Sequence, residues 1–395
     1  MSVFDTIPNR RNTNSLKYDF AEQRGKPSDI LPLWVADMDF STPGCVIQAL
    51  VEKAQHGIYG YSEPDQKYFD ALKNWFSTRH GWAVEESWLV KTPGVVFALC
   101  ATIRAFTQPG DAVLIQPPVY YPFFESIKDN GRTLVTNPLL FQDGNYTIDF
   151  EDLEQKLRDN NVKLFLLCNP HNPVGRVWTE AELVRLGKLC LHYGVTVVSD
   201  EIHADFVFPG HKHVPFASLR PEFADITVTC TAPSKTFNLA GLQISNIFIS
   251  NQTLRRAFRQ EVNRVGYSQA NLMGLIACQA AYEGGAPWLD ELKEYLCGNL
   301  DFARAFLKEH LPQVRLVEPE GTYLLWLDCS DLQLDDKTLD DLIVNQAKLW
   351  LDPGPMFGAG GEGFQRINMA CPRATLQKAL EQLAKALKQS QRAYK

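Results

Sequence analysis

No apolar run in the 395-residue chain is long enough to cross a bilayer: stretches such as Leu164 to Cys168 and Val195 to Val198 fall far short of the ~20 residues a spanning helix needs. No apolar core follows the polar start MSVFDTIPNRRNTNS, so a secretory leader is not expected. No C-x-x-C pair occurs among nine cysteines scattered from Cys45 to Cys371, which excludes a disulfide framework. It predicts buried thiols of a reducing, cytoplasmic compartment. Basic excess is lacking too: 39 Lys and Arg against 46 Asp and Glu give a net charge of -7, which excludes a dedicated nucleic-acid binder or a partner of anionic membranes. The eight histidines show no metal-ligand spacing, and no metal is expected. Internal repeats, low-complexity segments and long charge runs are absent. What is present is ordinary globular composition, 45% hydrophobic and 22% charged, in a chain whose length suits two domains at roughly 150 residues each. The expected partner is a small molecule.

The middle of the chain alternates short apolar β-rich runs with amphipathic stretches, the pattern of crossover connections and a parallel sheet. Strands are predicted at 111–116, 163–169, 195–201, 226–232 and 243–250, several apolar on both faces as covered strands are. Residues 179–194 read as a helix, opening on a Thr179/Glu182 capping box and closing at Gly194; 268–285 reads as another. From Pro287 the texture changes to a long helix, then strands VRLVEP and GTYLLWLDCS, a helix from about Lys337 to Ala347, strands LWLDPG and GFQRINMA, and a helix from Arg373. The expected division is an N-terminal segment 1–45 that packs with the small domain, a large α/β domain 46–285 and a smaller α+β domain 286–395.

In TAPSKTFNLAG, Lys235 follows a strand and a serine and precedes a glycine-bearing turn. A lysine in a loop is ordinarily a solvated charge. Here Asp200 stands at the carboxyl end of one predicted core strand, in VVSDEIH, and Asn172 lies just past the end of another, in LLCNPHNPVGR. Ligands of open parallel sheets bind at those ends, and a buried strand-end aspartate is costly unless it meets a cation. In KTPGVVFALCATIRAF, Pro93-Gly94 opens a helix whose first N–H groups can face an anion.

The order Asn-Pro-x-Asn-Pro-x-Gly, Asp-Glu-Ile, Ser-Lys-x-Phe and Arg-Ile-Asn resembles the fold-type I pyridoxal-phosphate enzymes of the aminotransferase class I/II family over essentially the whole chain. The resemblance implies an α/β fold with a mainly parallel seven-stranded sheet covered on both faces, a smaller α+β domain, and pyridoxal 5'-phosphate as cofactor. It implies Lys235 as the Schiff-base lysine, Asp200 against the pyridine nitrogen, and Asn172 on the ring 3-hydroxyl. It places Tyr120 against the ring, Tyr121 or Phe123 serving the core instead. Gly94, Val95, Val96 and the Ser234 hydroxyl would cradle the phosphate. His203 stands where aminotransferases usually carry a tyrosine. Arg366 would grip an amino acid's α-carboxylate, a task suited to a planar guanidinium; its neighbour Arg373 reads as a surface residue of the terminal helix. Tyr61, in HGIYGYSEP, matches a tyrosine that reaches the phosphate of the neighbouring subunit, which implies a homodimer. The sequence departs from the family pattern twice near the phosphate, with Gln243 where arginine is common and Ala232 where serine is frequent, and the missing arginine thins the positive charge there.

Within the family, LPLWVADMDF, HGIYGYS, DEIHADF, APSKTFNLAG, GAPWL, GTYLLWLD and NMACPR resemble the MalY/PatB branch of cystathionine β-lyase-like C–S lyases. That resemblance implies α,β-elimination from L-cystathionine or related S-substituted cysteines, with Lys235 removing the α-proton, to give thiol, pyruvate and ammonia. An aminotransferase with the same anchors, and a MalY-like regulator with secondary lyase activity, are the alternatives.

Overall fold

The computed structural model describes residues 2–393. Its centre is a seven-stranded sheet in the order Leu89–Thr92, Ser245–Phe248, Thr227–Thr231, Thr196–Asp200, Leu164–Cys168, Ala112–Ile115, Thr133–Thr136. Ser245–Phe248 runs antiparallel to both its neighbours, and the remaining pairings are parallel. The inner strands are buried along their length, apart from the half-buried Thr196 that starts one of them, because helices lie on both faces and side chains pointing either way meet a core. The mainly parallel α/β sheet implied by the sequence is the sheet observed. Of its two edge strands, Leu89–Thr92 alternates between half-buried and buried positions and Thr133–Thr136 has only Val135 buried, and their short, mixed segments gave no strand signal of their own.

The helix after LLCNPHNPVGR forms as its caps dictate. It spans Glu180–Tyr193, with Thr179 and Glu182 exchanging backbone bonds at its start and Gly194 in the left-handed conformation at its end. The helix expected over 268–285 starts later, at Leu272, where the Asn271 side chain caps the Met273 N–H. Beyond it a long helix runs Ala286–His310, followed by a four-stranded antiparallel sheet of Arg315–Val317, Leu324–Asp328, Phe364–Asn368 and Asp352–Pro353. The segment LWLDPG, read as one strand, divides. Leu349–Trp350 leaves to pair in parallel with Leu31–Pro32, and Asp352–Pro353 joins the four-stranded sheet. Among the described residues no helix is long and apolar enough to cross a membrane.

Candidate functional site

Three neighbouring parallel strands end level with one another, with Cys168 paired to Asp200 and Asp200 to Cys230. A cavity opens at these carboxyl ends, and Cys168 and Asp200 line it. The next segment along the chain, Pro233–Thr236, is a single helical turn with proline in its first position, and it carries Ser234 and Lys235 to the same cavity. Gly94 and the first turn of the helix Val95–Phe106 form a wall, with Val95 and Val96 both lining. A Cβ on Gly94 would meet no atom within 4 Å, so the backbone here faces open space. Tyr120, Asn172 and His203 also line the cavity.

The electrostatics of the site are unusual. Asp200 is 4% exposed and its carboxylate accepts one hydrogen bond, from the Ile202 N–H at 3.2 Å. Among the described residues it forms no ion pair, and burial, opposed by the nearby Lys235 charge, pushes its carboxyl up to about 7. Lys235 keeps some accessible area where it borders the cavity, but protein surrounds it densely, and this desolvation pulls its ammonium down to about 8. It forms no ion pair among the described residues. Its Nζ donates to the Ala36 carbonyl at 2.8 Å, which also accepts from the Tyr323 hydroxyl at 3.0 Å. His203 is held neutral by burial, and its buried Nδ1 has no partner. Burial likewise raises the Tyr120 hydroxyl.

Arg366 does not line the cavity. It is 2% exposed and stands behind Asn172, donating from Nη1 to the Asn172 Oδ1 at 2.9 Å and from Nη2 to the Trp34 carbonyl at 2.9 Å and to Asp352. Its Nε has no partner. The bond to Oδ1 leaves the Asn172 NH₂ as the donor. Tyr61 is also outside the cavity of its own chain, at 94% exposure. One reading needs correction. Arg373 is not a free surface residue: its Nε donates to Asn299 Oδ1 at 2.5 Å and its guanidinium lies over Tyr295 and Phe302. His213 lies in a loop, yet it is only 4% exposed, with Nε2 3.1 Å from Glu201, because a buried carboxylate needs a partner.

Sequence reasoning missed the wall formed by the irregular run from Trp34 to Phe40. Its carbonyls accept side-chain bonds almost without a break. Val35 and Asp37 accept from Asn368, Ala36 from Lys235 and Tyr323, and Met38 and Phe40 from Asn238. Lys17 and Arg10 brace it through Asp37 and Asp39. Main-chain acceptors leave no signature in residue types; the dense WVADMDF segment was the only signal.

A buried carboxylate without an ion pair, a desolvated amine, an unpartnered imidazole nitrogen and a helix start facing open space all converge on this cavity. Together they fit a cofactor with a protonated ring nitrogen, a carbonyl carbon and a phosphate. The chain belongs to the aminotransferase class I and II family, whose model matches residues 28–383. Within it, the chain is 50% identical over 384 residues to cystathionine beta-lyase PatB of Bacillus subtilis, covering 97% of this chain and 99% of that protein. It is 35% identical to the protein MalY of Escherichia coli, covering 98% and 99%. The structure of cystalysin from Treponema denticola, which contains a pyridoxal 5'-phosphate cofactor, superposes with a TM-score of 0.95 at 39% identity over 98% of each chain.

Proposed function

We propose that the protein is a pyridoxal-phosphate-dependent carbon–sulfur lyase that cleaves L-cystathionine or related S-substituted cysteines by α,β-elimination to thiol, pyruvate and ammonia. The observation that carries this is the pairing of Lys235 and Asp200 in one cavity, a neutralisable amine beside a carboxylate that forms no ion pair; likeness to PatB supports the choice of reaction. When bound, the cofactor supplies an electrophilic carbon for the substrate amine and a protonated ring that draws electrons from the α-carbon.

The chain's own residues do the rest. Asp200 would hold the ring nitrogen protonated, the Asn172 NH₂ would donate to the ring hydroxyl, and Tyr120 would cover the ring. His203 would offer its unpartnered nitrogen from the cavity wall. The Gly94, Val95 and Val96 backbone and the Ser234 hydroxyl hold the phosphate, with Gln243, also in the cavity wall, replacing a cation by an amide. Lys235, neutral from about pH 8 upward, takes the α-proton as general base, and the Ala36 carbonyl and Tyr323 hydroxyl fix where its amine rests when it is free. Arg366 reads the α-carboxylate from behind Asn172 through its unpartnered Nε.

The working unit in this reading is a cytoplasmic homodimer in which Tyr61 completes the partner's phosphate site. The support is an apolar stretch with Ile47, Val51, Ile58, Tyr59 and Tyr61 all exposed, more than scattered surface residues would give. The reading also divides the chain into a segment 1–45, a large domain 46–285 and a small domain 286–395. Support comes from the pairing of Leu31 with Leu349 and from the confinement of the four-stranded sheet to 315–368. Incubating the purified protein with L-cystathionine, with and without a keto acid, tests the function. Pyruvate, ammonia and thiol released without keto acid support the lyase. Amino-group exchange that requires the keto acid would make it an aminotransferase.

A further inference from the structure

We infer that Asp205 is a positioning residue for Lys235, acting through the Thr236 hydroxyl to fix the direction in which the lysine amine points. This goes beyond the lyase reading but rests on its choice of Lys235 as the group that takes the α-proton. Thr236 follows Lys235 in the turn Pro233–Thr236 and is buried. So short a helical segment cannot hold its own orientation through backbone bonds. Successive side chains of a helical turn project about 100° apart. Lys235 faces the cavity, while Thr236 faces into the protein, where its Oγ1 donates to Asp205 Oδ2 at 2.6 Å. Whatever holds Thr236 therefore sets the rotation of the turn, and with it the aim of Lys235.

Asp205 is itself held from the other side. Its Oδ1 accepts from Trp75 Nε1 at 3.1 Å and lies 3.0 Å from His80 Nε2; an ionised carboxylate only accepts, so that imidazole nitrogen carries hydrogen. Both partners belong to the helix Gln66–His80, which is anchored in the core by Tyr68, Leu72, Trp75 and Phe76. Trp75 also packs on the exit of the turn, its ring 5.4 Å from that of Phe237. The Asp205 side chain is 8% exposed. Burial alone would raise its carboxyl, but the bonds from His80, Thr236 and Trp75 outweigh it and hold it below the ordinary carboxylate range. The carboxylate thus ties the lysine turn to a rigid helix. At the other end of Lys235, Nζ rests on the Ala36 carbonyl, so the side chain is fixed both at its root and at its tip. Neither Asp205 nor Thr236 lines the cavity, and their effect reaches the reaction through Lys235 alone.

The test uses three variants of the whole chain. Thr236→Val removes the hydroxyl at nearly constant volume, Thr236→Ser keeps it, and Asp205→Asn removes the charge it donates to. In the cofactor-loaded enzyme with L-cystathionine, Thr236→Val and Asp205→Asn should lower kcat on the order of tenfold, the cost of a misplaced reacting group. KM should stay within about twofold, because no substrate contact is lost. Thr236→Ser should recover most of kcat. The α-deuterium isotope effect on kcat should be no smaller than in the wild type, since proton removal is the step slowed. Starting from cofactor-free protein, the rate at which pyridoxal phosphate condenses with Lys235, followed by absorbance, should fall in Thr236→Val and recover in Thr236→Ser. Urea midpoints identify a variant that simply folds poorly, and the two Thr236 variants decide the question if Asp205→Asn is one. An unchanged kcat in Thr236→Val, a loss that serine does not recover, a smaller isotope effect or a loss confined to KM overturns the positioning role. If the wild type releases no pyruvate without a keto acid, the lyase reading fails instead, and the condensation rates still decide the role of Asp205.

Discussion

Asp200→Asn should stabilise the cofactor-free protein while disabling the loaded one. The carboxyl lies at about 7 against the ordinary 3.8, and each pH unit of such a shift corresponds to about 1.4 kcal/mol. At pH 8 the ionised carboxylate therefore costs the empty fold on the order of 4 kcal/mol, an upper figure. The sign follows from proton counting. Between about pH 4 and 7 the folded chain keeps a proton that the unfolded chain has lost, so stability falls as pH rises through that window. Asparagine keeps the size and an oxygen for the Ile202 N–H, and does not titrate. Lys235, lowered by burial to about 8 from 10.5, contributes the opposite slope only above about pH 8, beyond the range compared. Urea unfolding of the two cofactor-free proteins at one protein concentration should give equal stabilities near pH 4. At pH 8 the variant should lead by about 2–4 kcal/mol. Adding pyridoxal phosphate should erase or reverse that lead, with kcat/KM lower by at least about a hundredfold in the variant. Parallel stabilities across pH 4–8 would refute the claim that Asp200 lacks a compensating ion pair.

Borohydride reduction of the yellow holoprotein should place the cofactor on Lys235 in a peptide map; a label on another lysine would overturn the assignment. Arg366→Lys keeps the charge but loses the fork shared by Asn172, Trp34 and Asp352, so turnover of amino acids should drop sharply while cofactor condensation with simple amines is little changed; equal losses would point to misfolding. Tyr61→Phe should weaken cofactor retention by about 1.5–3 kcal/mol, and mixing it with Lys235→Ala protein should regenerate some activity, unless subunits exchange and none returns. Gly187→Ala would drive a methyl within 2.7 Å of the Phe223 ring, so urea titration should show a loss of about 1–3 kcal/mol; an unchanged midpoint would show that Phe223 moves freely.

The part of the site built from side chains at strand ends was legible. Lys235, Asp200 and Asn172 follow apolar runs whose burial on both faces fixes where the strands stop, and the structure brings all three to one cavity. Less was legible where an element is half exposed or a contact spans the chain. Thr133–Thr136 lies at an edge with accessible positions, so its apolar content is diluted. The partition of LWLDPG between two sheets depends on Leu31 arriving from more than three hundred residues away. His213 reads as polar loop until Glu201 is seen buried beside it. Arg366 carried the right residue type for a carboxylate, but its fixation by Asp352 and Trp34 is a product of folding alone.

The run from Trp34 to Phe40 has a consequence for how the protein tolerates change. Its partners grasp carbonyl oxygens, which every amino acid possesses, so what the run encodes is spacing more than spelling. Replacing a single side chain there, such as Val35→Ile, leaves every acceptor in place. Removing or adding one residue puts each carbonyl out of step with Asn368, Lys235 and Asn238 at once. A scan of this segment should therefore find single-residue deletions far more damaging than conservative substitutions, a length constraint set beside the catalytic lysine.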